Sequence, residues 1–441
     1  MTTTTPSSAH ARRMVQARLG REPQDMLEAA VVLEAWAGIP AQEALLLGRE
    51  IVAASPTEPQ PSAGRLAAPD AGRGLALEAC SFVIAVIAIA GWARPLSSSL
   101  GLHVVGVALT CALPMTLALQ WALASRYLGR PEGLAHLGRH PVVLPVLAWL
   151  ALVAAPAAAL GRAGALAGLL TLTWTGGAIL VRRRWSAAYV GIVLVASAAM
   201  LAKLPAPDVV AGSALLTTLG VAAAVRGHGV PSTGPPGRWG RALVAAAIGA
   251  GVGALLVADA SVNSNLGTIP AVGLLPSSLA SLWGGRHLWR FQHVIPRALS
   301  GVPVVDARPR GLGSAPVRIL LGTVGRLVVL TVALSALLVA GASALHVDPN
   351  ESSVLVAFGL LALATLFLGL LESLGRGWWA LLALAGGIAA EGITLAVAAL
   401  PTLSGGGLIV GASVAVVIAL PVAVAALGRP ATTLATGMGI R

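Results

Sequence analysis

From residue 75 onward the chain is a succession of apolar runs, each at least eighteen residues long with at most one charged residue, joined by arginine-bearing loops. Lipid offers no hydrogen-bond partner to backbone N–H or C=O, so such runs cross a bilayer as helices or as a closed barrel. These runs are continuous rather than alternating and rich in Ala and Leu, which selects helices. Twelve are expected: 75–93, 102–125, 141–160, 164–181, 187–205, 208–225, 242–259, 267–284, 319–344, 354–373, 377–400 and 407–427. Composition agrees, with 10% charged residues against about 25% in a soluble protein. The expected fold class is an all-α integral membrane protein of about twelve transmembrane helices.

The net charge of +12 raises the question of nucleic acid. The arginines are spread through short loops, the pattern of membrane orientation rather than of a basic binding face. If the twelve runs alternate in direction, the N-terminal side collects all of the 29 Lys and Arg except Arg94, Arg162, Lys203 and the intramembrane Arg326. That bias predicts a multi-pass protein of the cell (cytoplasmic) membrane with both termini in the cytoplasm. Membrane lipids are therefore expected partners and nucleic acid is not.

Leu113-Pro114-Met115-Thr116-Leu117-Ala118-Leu119-Gln120-Trp121 returns 162 residues later as Leu275-Pro276-Ser277-Ser278-Leu279-Ala280-Ser281-Leu282-Trp283. A matched Pro and Trp at fixed spacing read as two related halves, with coincidence in low-complexity apolar sequence as the alternative. The offset carries the second helix onto the eighth. An even number of crossings separates the copies, so the halves face the same way. The expectation is two six-helix bundles related by a pseudo-two-fold axis along the membrane normal. Pro114 and Pro276, each inside a run, are expected helix-bend positions.

Residues 1–54 read as a small cytoplasmic helical hairpin behind a Thr/Ser/Pro-rich start. Its helices run from Glu22-Pro23-Gln24-Asp25 through Ala37 and from Ala41 to Val52, with Gly38-Ile39-Pro40 as the break. So few residues build little core alone, so the hairpin should pack on the membrane domain or on a cytoplasmic partner. The remaining organisation is a linker at 55–73, bundle one at 74–225, a linker at 226–241, bundle two at 242–428 and a tail at 429–441. Between helices 8 and 9, Trp289, Phe291, Val294 and Ile295 interleave with Arg286, Arg290 and Arg297. This is either a helix at headgroup level or a solvated loop.

No catalytic signature is present. Lys203 is the single lysine, which excludes a Walker A loop, and no His-Glu-x-x-His occurs. Cys80 and Cys111 lie inside apolar runs and read as packing residues. Neither a metal nor a cofactor is expected, and the chain reads as a non-enzyme. What remains is charge inside the membrane, which is costly and faces a cavity or a partner. Glu391 lies about 21 Å along its helix from Gly377 and Arg326 about 12 Å from Arg318, at 1.5 Å per residue. Both are candidates for a substrate path, with a structural carboxyl and snorkelling as the respective alternatives. Glu372 is expected to partner Arg326, and Glu78 to be interfacial. Gln120, Trp174 and Asn265 are further path candidates, along with Thr171, Thr173, Thr175 and Asn263. Helix–helix hydrogen bonding is the alternative for each.

The second half resembles the polysaccharide-transporter branch of the MOP superfamily of flippases and exporters. The residues that carry the resemblance are Arg326-Leu327-Val328-Val329-Leu330, the outer turn His346-Val347-Asp348-Pro349-Asn350-Glu351, and Leu370-Leu371-Glu372-Ser373-Leu374-Gly375-Arg376 before Trp378-Trp379. Gly405-Gly406-Gly407 and Ile295-Pro296-Arg297-Ala298-Leu299 fit the same pattern. The resemblance covers about 190 residues and implies two lobes around a central cavity. It also implies a lipid-linked saccharide or another amphiphile as the substrate moved by alternating access. Two departures stand: the N-terminal hairpin is outside that plan, and the expected cavity is poor in basic residues. Two other readings remain open. One is a non-transporting scaffold or assembly subunit for an envelope-polysaccharide or secretion system, recruiting cytoplasmic partners through residues 1–54. The other is a major-facilitator-type carrier, although Leu128-Gly129-Arg130-Pro131-Glu132-Gly133 lacks the Gly-x-x-x-Asp signature of that class.

Overall fold

The computed structural model describes residues 8–19, 22–23, 26–53, 73–128, 143–182, 185–226, 239–263, 273, 275–276, 309–397 and 405–427. Every regular element among them is helical. Three short helices come first, α1 (Ser8–Leu19), α2 (Met26–Ala37) and α3 (Ala41–Ala53). The first half continues with α4 (Arg73–Ala90), α5 (Ala93–Leu100) and α6 (Leu102–Leu123). It is completed by α7 (Val143–Trp149), α8 (Ala155–Arg182), α9 (Ser186–Leu201) and α10 (Ala206–Arg226). The second half holds α11 (Trp239–Asn263), α12 (Pro309–Ala344), α13 (Pro349–Ser373), α14 (Gly377–Val397) and α15 (Gly406–Leu427).

Nine stretches among the described residues are long and apolar enough to cross a membrane, and the chain is a multi-pass membrane protein. One of them, Pro145–Val181, has 37 residues, far more than the roughly 20 a bilayer core needs. Gly161, at φ 57° and ψ −133°, folds it back on itself. Gly164 then faces the backbone of Pro156 and Gly168 that of Leu152, so close that neither has room for a Cβ. These two legs are the expected runs 141–160 and 164–181. With the shorter apolar helix Ser186–Leu201, every expected run but one falls on a helix. The exception, 267–284, lies outside the described residues apart from Gly273, Leu275 and Pro276.

Three boundaries differ from expectation. The first crossing stops at Ala90, and 93–100 form a separate helix. Trp92 at the turn is buried, and its indole N–H donates to Ser197 Oγ at 2.8 Å, pinning the corner. Helix α12 starts at Pro309 rather than 319, since Pro suits the first helical position and the added turns are polar enough to extend beyond lipid. The N-terminal hairpin is a three-helix unit, because Ser8–Leu19 also forms a helix.

The two halves repeat each other's packing. Helix α9 packs on α4 as α14 packs on α11, α8 on α10 as α13 on α15, and α9 on α10 as α14 on α15. The α7 leg meets α8 as α12 meets α13. Gly273, two residues ahead of the second copy of the repeat, abuts Phe358 of α13. Its counterpart is the contact of α6 with α8, where Thr171 Oγ1 reaches the Ala112 carbonyl at 3.5 Å.

Lipid tails are as apolar as leucine, so helices here associate by close packing of small residues rather than by escape from solvent. Helix α15 buries Gly407, Gly411, Ala412, Ala415, Ala419, Ala423 and Ala426, while Val410, Val417, Leu420 and Val424 point outward. The halves meet where α6 crosses α11. Gly249 and Gly253, one turn apart, lie against the α6 backbone. A Cβ on Gly253 would sit 2.5 Å from Pro114 Cα, and one on Gly249 would run into the Leu117 carbonyl. Leu113, Leu117 and Trp121, spaced by four on α6, complete the seam against the second half's core.

The α1–α3 unit is built on Ala11, Val15, Ala29, Leu33, Ala44 and Ile51. Gly48 lets α3 approach α2, since its Cβ would be 2.5 Å from the Met26 carbonyl. Arg12 pairs with Glu22 at 2.8 Å, Gln16 also donates to Glu22, and Arg18 stacks on Trp36. The unit's core is continuous with Leu374, Ala426 and Leu427 and is flanked by Val324 and Leu370. Of the two expected docking places it therefore takes the membrane domain, at one end of the second half.

Replacing Gly253 with Leu should lower thermal stability in detergent by about 1–3 kcal/mol, whereas Gly322→Leu, which meets nothing within 4 Å, should leave it unchanged. Burial holds the Glu34 carboxyl above the usual range. The folded unit thus binds this proton more tightly than the unfolded chain does. Its stability is full below about pH 4.3 and falls as rising pH ionises the group. Glu34→Gln should accordingly stabilise α1–α3 at neutral pH and confer nothing at pH 4, as read by melting of the intact protein.

Candidate functional site

At the α1–α3 end of the seam, α6 continues into a wider turn, Ala124–Leu128, which brings Ser125 and Arg126 against the start of α11 and the last turn of α13. Local sequence explains the last turn. Gly375, at φ 76°, ends α13 in the left-handed conformation that favours glycine. The Arg376 N–H donates to the Leu371 carbonyl at 2.8 Å and the Gly375 N–H to the Glu372 carbonyl at 3.0 Å. This capped turn presents Glu372 to Arg241. Arg241 Nε donates to Glu372 Oε1 at 3.1 Å, and Arg241 Nη2 to the Glu372 and Ser373 carbonyl oxygens at 2.8 and 3.5 Å. From the first half, Ser125 Oγ donates to the same carboxylate oxygen at 3.1 Å. Arg126 stacks on the Trp239 ring 3.5 Å from its centroid. A partly buried ion pair within one half is thus fastened to the other half by a hydroxyl and a stacked guanidinium.

The expected Glu372–Arg326 pair does not form. Arg241 takes Glu372, and Arg326 is exposed on α12. No sequence signal singled out Arg241, Ser125 or Arg126, since each sits among other loop arginines or at a helix end. Only the antiparallel crossing of α6 and α11 brings them together.

Glu391 is enclosed inside the second half, 1% exposed. Close packing of α14 on α15 surrounds it. A Cβ on Gly411 would lie 2.9 Å from Glu391 Cβ and 3.1 Å from Leu255 Cδ2 of α11. In the first half, the matching helix α9 offers Ser197 at its contact with α4, accepting from Trp92 and donating to the Val193 carbonyl at 2.9 Å. The matching helices therefore carry different polar groups, an ionisable carboxyl on α14 and a neutral hydroxyl on α9.

The other expected residues are placed as follows. Gln120 Nε2 donates to the Trp174 backbone carbonyl at 3.2 Å, which joins α6 to α8. Thr171 and Thr173 are buried and donate to their own helix at Ala167 and Leu169. Thr175 is buried too. Pro114 stands at the seam inside the continuous helix α6, and Pro276 is buried. Cys111 packs into the first half's core while Cys80 is exposed. Asn265, the 289–297 segment and the tail 429–441 lie outside the described residues, as do the side chains of Glu78 and Asn263. Among the described residues, no three of His, Cys, Asp and Glu gather as a metal site requires.

No family model matches this sequence, and no curated protein matches it. Among solved structures, the chain is similar to the MATE described in complex with MaL6, with 12% identity, TM-score 0.40, and coverage of 80% of this chain and 96% of that one. It is similar to an outward-facing multidrug resistance MATE family transporter of the MOP superfamily, with 12% identity, TM-score 0.40, and coverage of 80% and 93%. A MOP superfamily transporter from Pyrococcus furiosus gives 13% identity, TM-score 0.35, and coverage of 80% and 93%.

Glu372→Gln should cost about 1–3 kcal/mol, because the Arg241 guanidinium loses its charged acceptor in a half-buried place. Arg326→Gln should cost nothing measurable. Melting of both variants in one detergent decides between Arg241 and Arg326 as the true partner.

Proposed function

We propose that this chain is a membrane transporter whose two halves alternately open toward either side of the bilayer. The observation that carries the reading is the pair of halves with matched internal packing, joined at a narrow small-residue seam and fastened by polar groups at one end. Packed interiors are bistable rather than continuously deformable, so such halves rock as bodies. Gly249 and Gly253 against Pro114 form the pivot, and the Ser125–Glu372 and Arg126–Trp239 contacts close one mouth. The charge bias of the loops supports the α1–α3 end as the cytoplasmic one.

Glu391 is the coupling group in this reading. Burying a carboxyl this deeply makes its charged form costly, so its protonation responds to what surrounds it. Its protonation is therefore tied to how closely α14, α15 and α11 pack. Arg326, exposed on α12, is the second charged group assigned to the path. The substrate is a lipid-linked saccharide or another amphiphile. The resemblance of 326–376 to polysaccharide transporters supports this class.

Vesicles holding the purified protein and a fluorescent lipid-linked saccharide provide the test. Movement between leaflets should require the protein, respond to an imposed pH or cation gradient, and lose that response in Glu391→Gln. Gradient-independent movement in the native protein, or an unaltered response in Glu391→Gln, refutes the coupling role. Absence of any movement, with cellular function lost only when α1–α3 is disrupted, favours the scaffold.

A further inference from the structure

The last turn of α13 is shared by two structures. On one side Glu372 and Ser373 receive Arg241 and Ser125. On the other, Leu370 and Leu374 pack against the core of the α1–α3 unit. Leu370 also packs against the core of the second half, and Leu371 between them is fully buried there. The unit additionally holds Ala426 and Leu427 at the end of α15 and Val324 of α12. It thus ties the ends of α13 and α15 to the middle of α12 beside the fastening, and among the described residues its core takes in none from α6 or α11.

We infer that the α1–α3 unit is a built-in brace on this mouth. Docked, it fixes the α13 turn so that Glu372 stays within reach of Ser125 and Arg241, and the halves remain closed at this end. Undocked, it frees Leu370 and Leu374, the turn loses half of its support, and the mouth opens more readily. Regulation then acts on the unit rather than on the transport path. The inference rests on the proposed function only in taking this end as one that opens.

Distances between spin labels at Ala187→Cys and Trp378→Cys, both exposed and on opposite halves, test it without any transport assay. The full chain would carry Cys80→Ala and Cys111→Ala, since both native cysteines are free. Two variants undo the unit by different routes. Leu33→Asp places a charge at a fully buried position, and Gly48→Leu drives α3 off α2. Limited proteolysis within residues 26–53 reports that the unit is undone. The double variant Ser125→Ala/Trp239→Ala removes both contacts between the halves at this end and serves as the reference. The brace predicts that both unit variants shift the distances toward the longer population seen in that reference. If the reference lengthens the distances and the unit variants keep the native distribution, the brace is wrong and the transporter reading stands. If none of the three changes the distances, the halves do not part here, and both fail.

Discussion

In lipid, apolar helices gain little by hiding from their surroundings, so the depth to which one backbone can settle against another decides what stays together. That constraint accounts for the pattern along the middle of α15, with alanine and glycine inside and valine and leucine outside. It also accounts for the glycines that matter: Gly164 and Gly168 in the α8 hairpin, Gly249 and Gly253 at the seam, Gly387 and Gly411 beside Glu391. Each lies where a neighbouring backbone or side chain takes the space of a Cβ. The polar groups act on this frame afterwards, fastening one end and placing one carboxyl inside one half.

The two halves are alike in helix order and unlike in chemistry. Trp92, Ser197 and the Val193 carbonyl close the first half with a chain of neutral hydrogen bonds. The second half carries the buried Glu391 on α14, the helix that matches α9, and gives its opposite end to the α1–α3 unit. The repeated helix order supplies the architecture, and single side chains distinguish one half from the other. On the proposed reading, a coupling group carried by one half would bias its motion relative to the twin.

Much of the fold was legible because a bilayer-crossing helix announces itself by length and apolarity, which need no knowledge of neighbours. The Leu-Pro-x-x-Leu-Ala-x-x-Trp repeat pointed to two halves, and the helix contacts repeat accordingly. Corners were harder to read. Gly161 looks like any other glycine in an apolar run, and the corner at Trp92 depends on Ser197, 105 residues away. Site legibility was poorer for the same reason. The isolated acids Glu391 and Glu372 were visible as charges in apolar sequence. The partner of Glu372 was misread because nearness along α12 and α13 suggested Arg326, whereas the crossing of α6 with α11 delivers Arg241 and Ser125.

The division of labour around Glu372 has an energetic consequence. Arg241 and Glu372 belong to the same half, so in the proposed motion this ion pair travels intact and no charge is stranded. The contacts that do cross between the halves at this end include the Ser125 hydroxyl bond, about 0.5–1.5 kcal/mol, and the half-buried Arg126 guanidinium on Trp239, about 0.5–2 kcal/mol. Under that proposal the charged half of the fastening serves as a permanent hinge-plate, and the neutral and stacked contacts are the bolt.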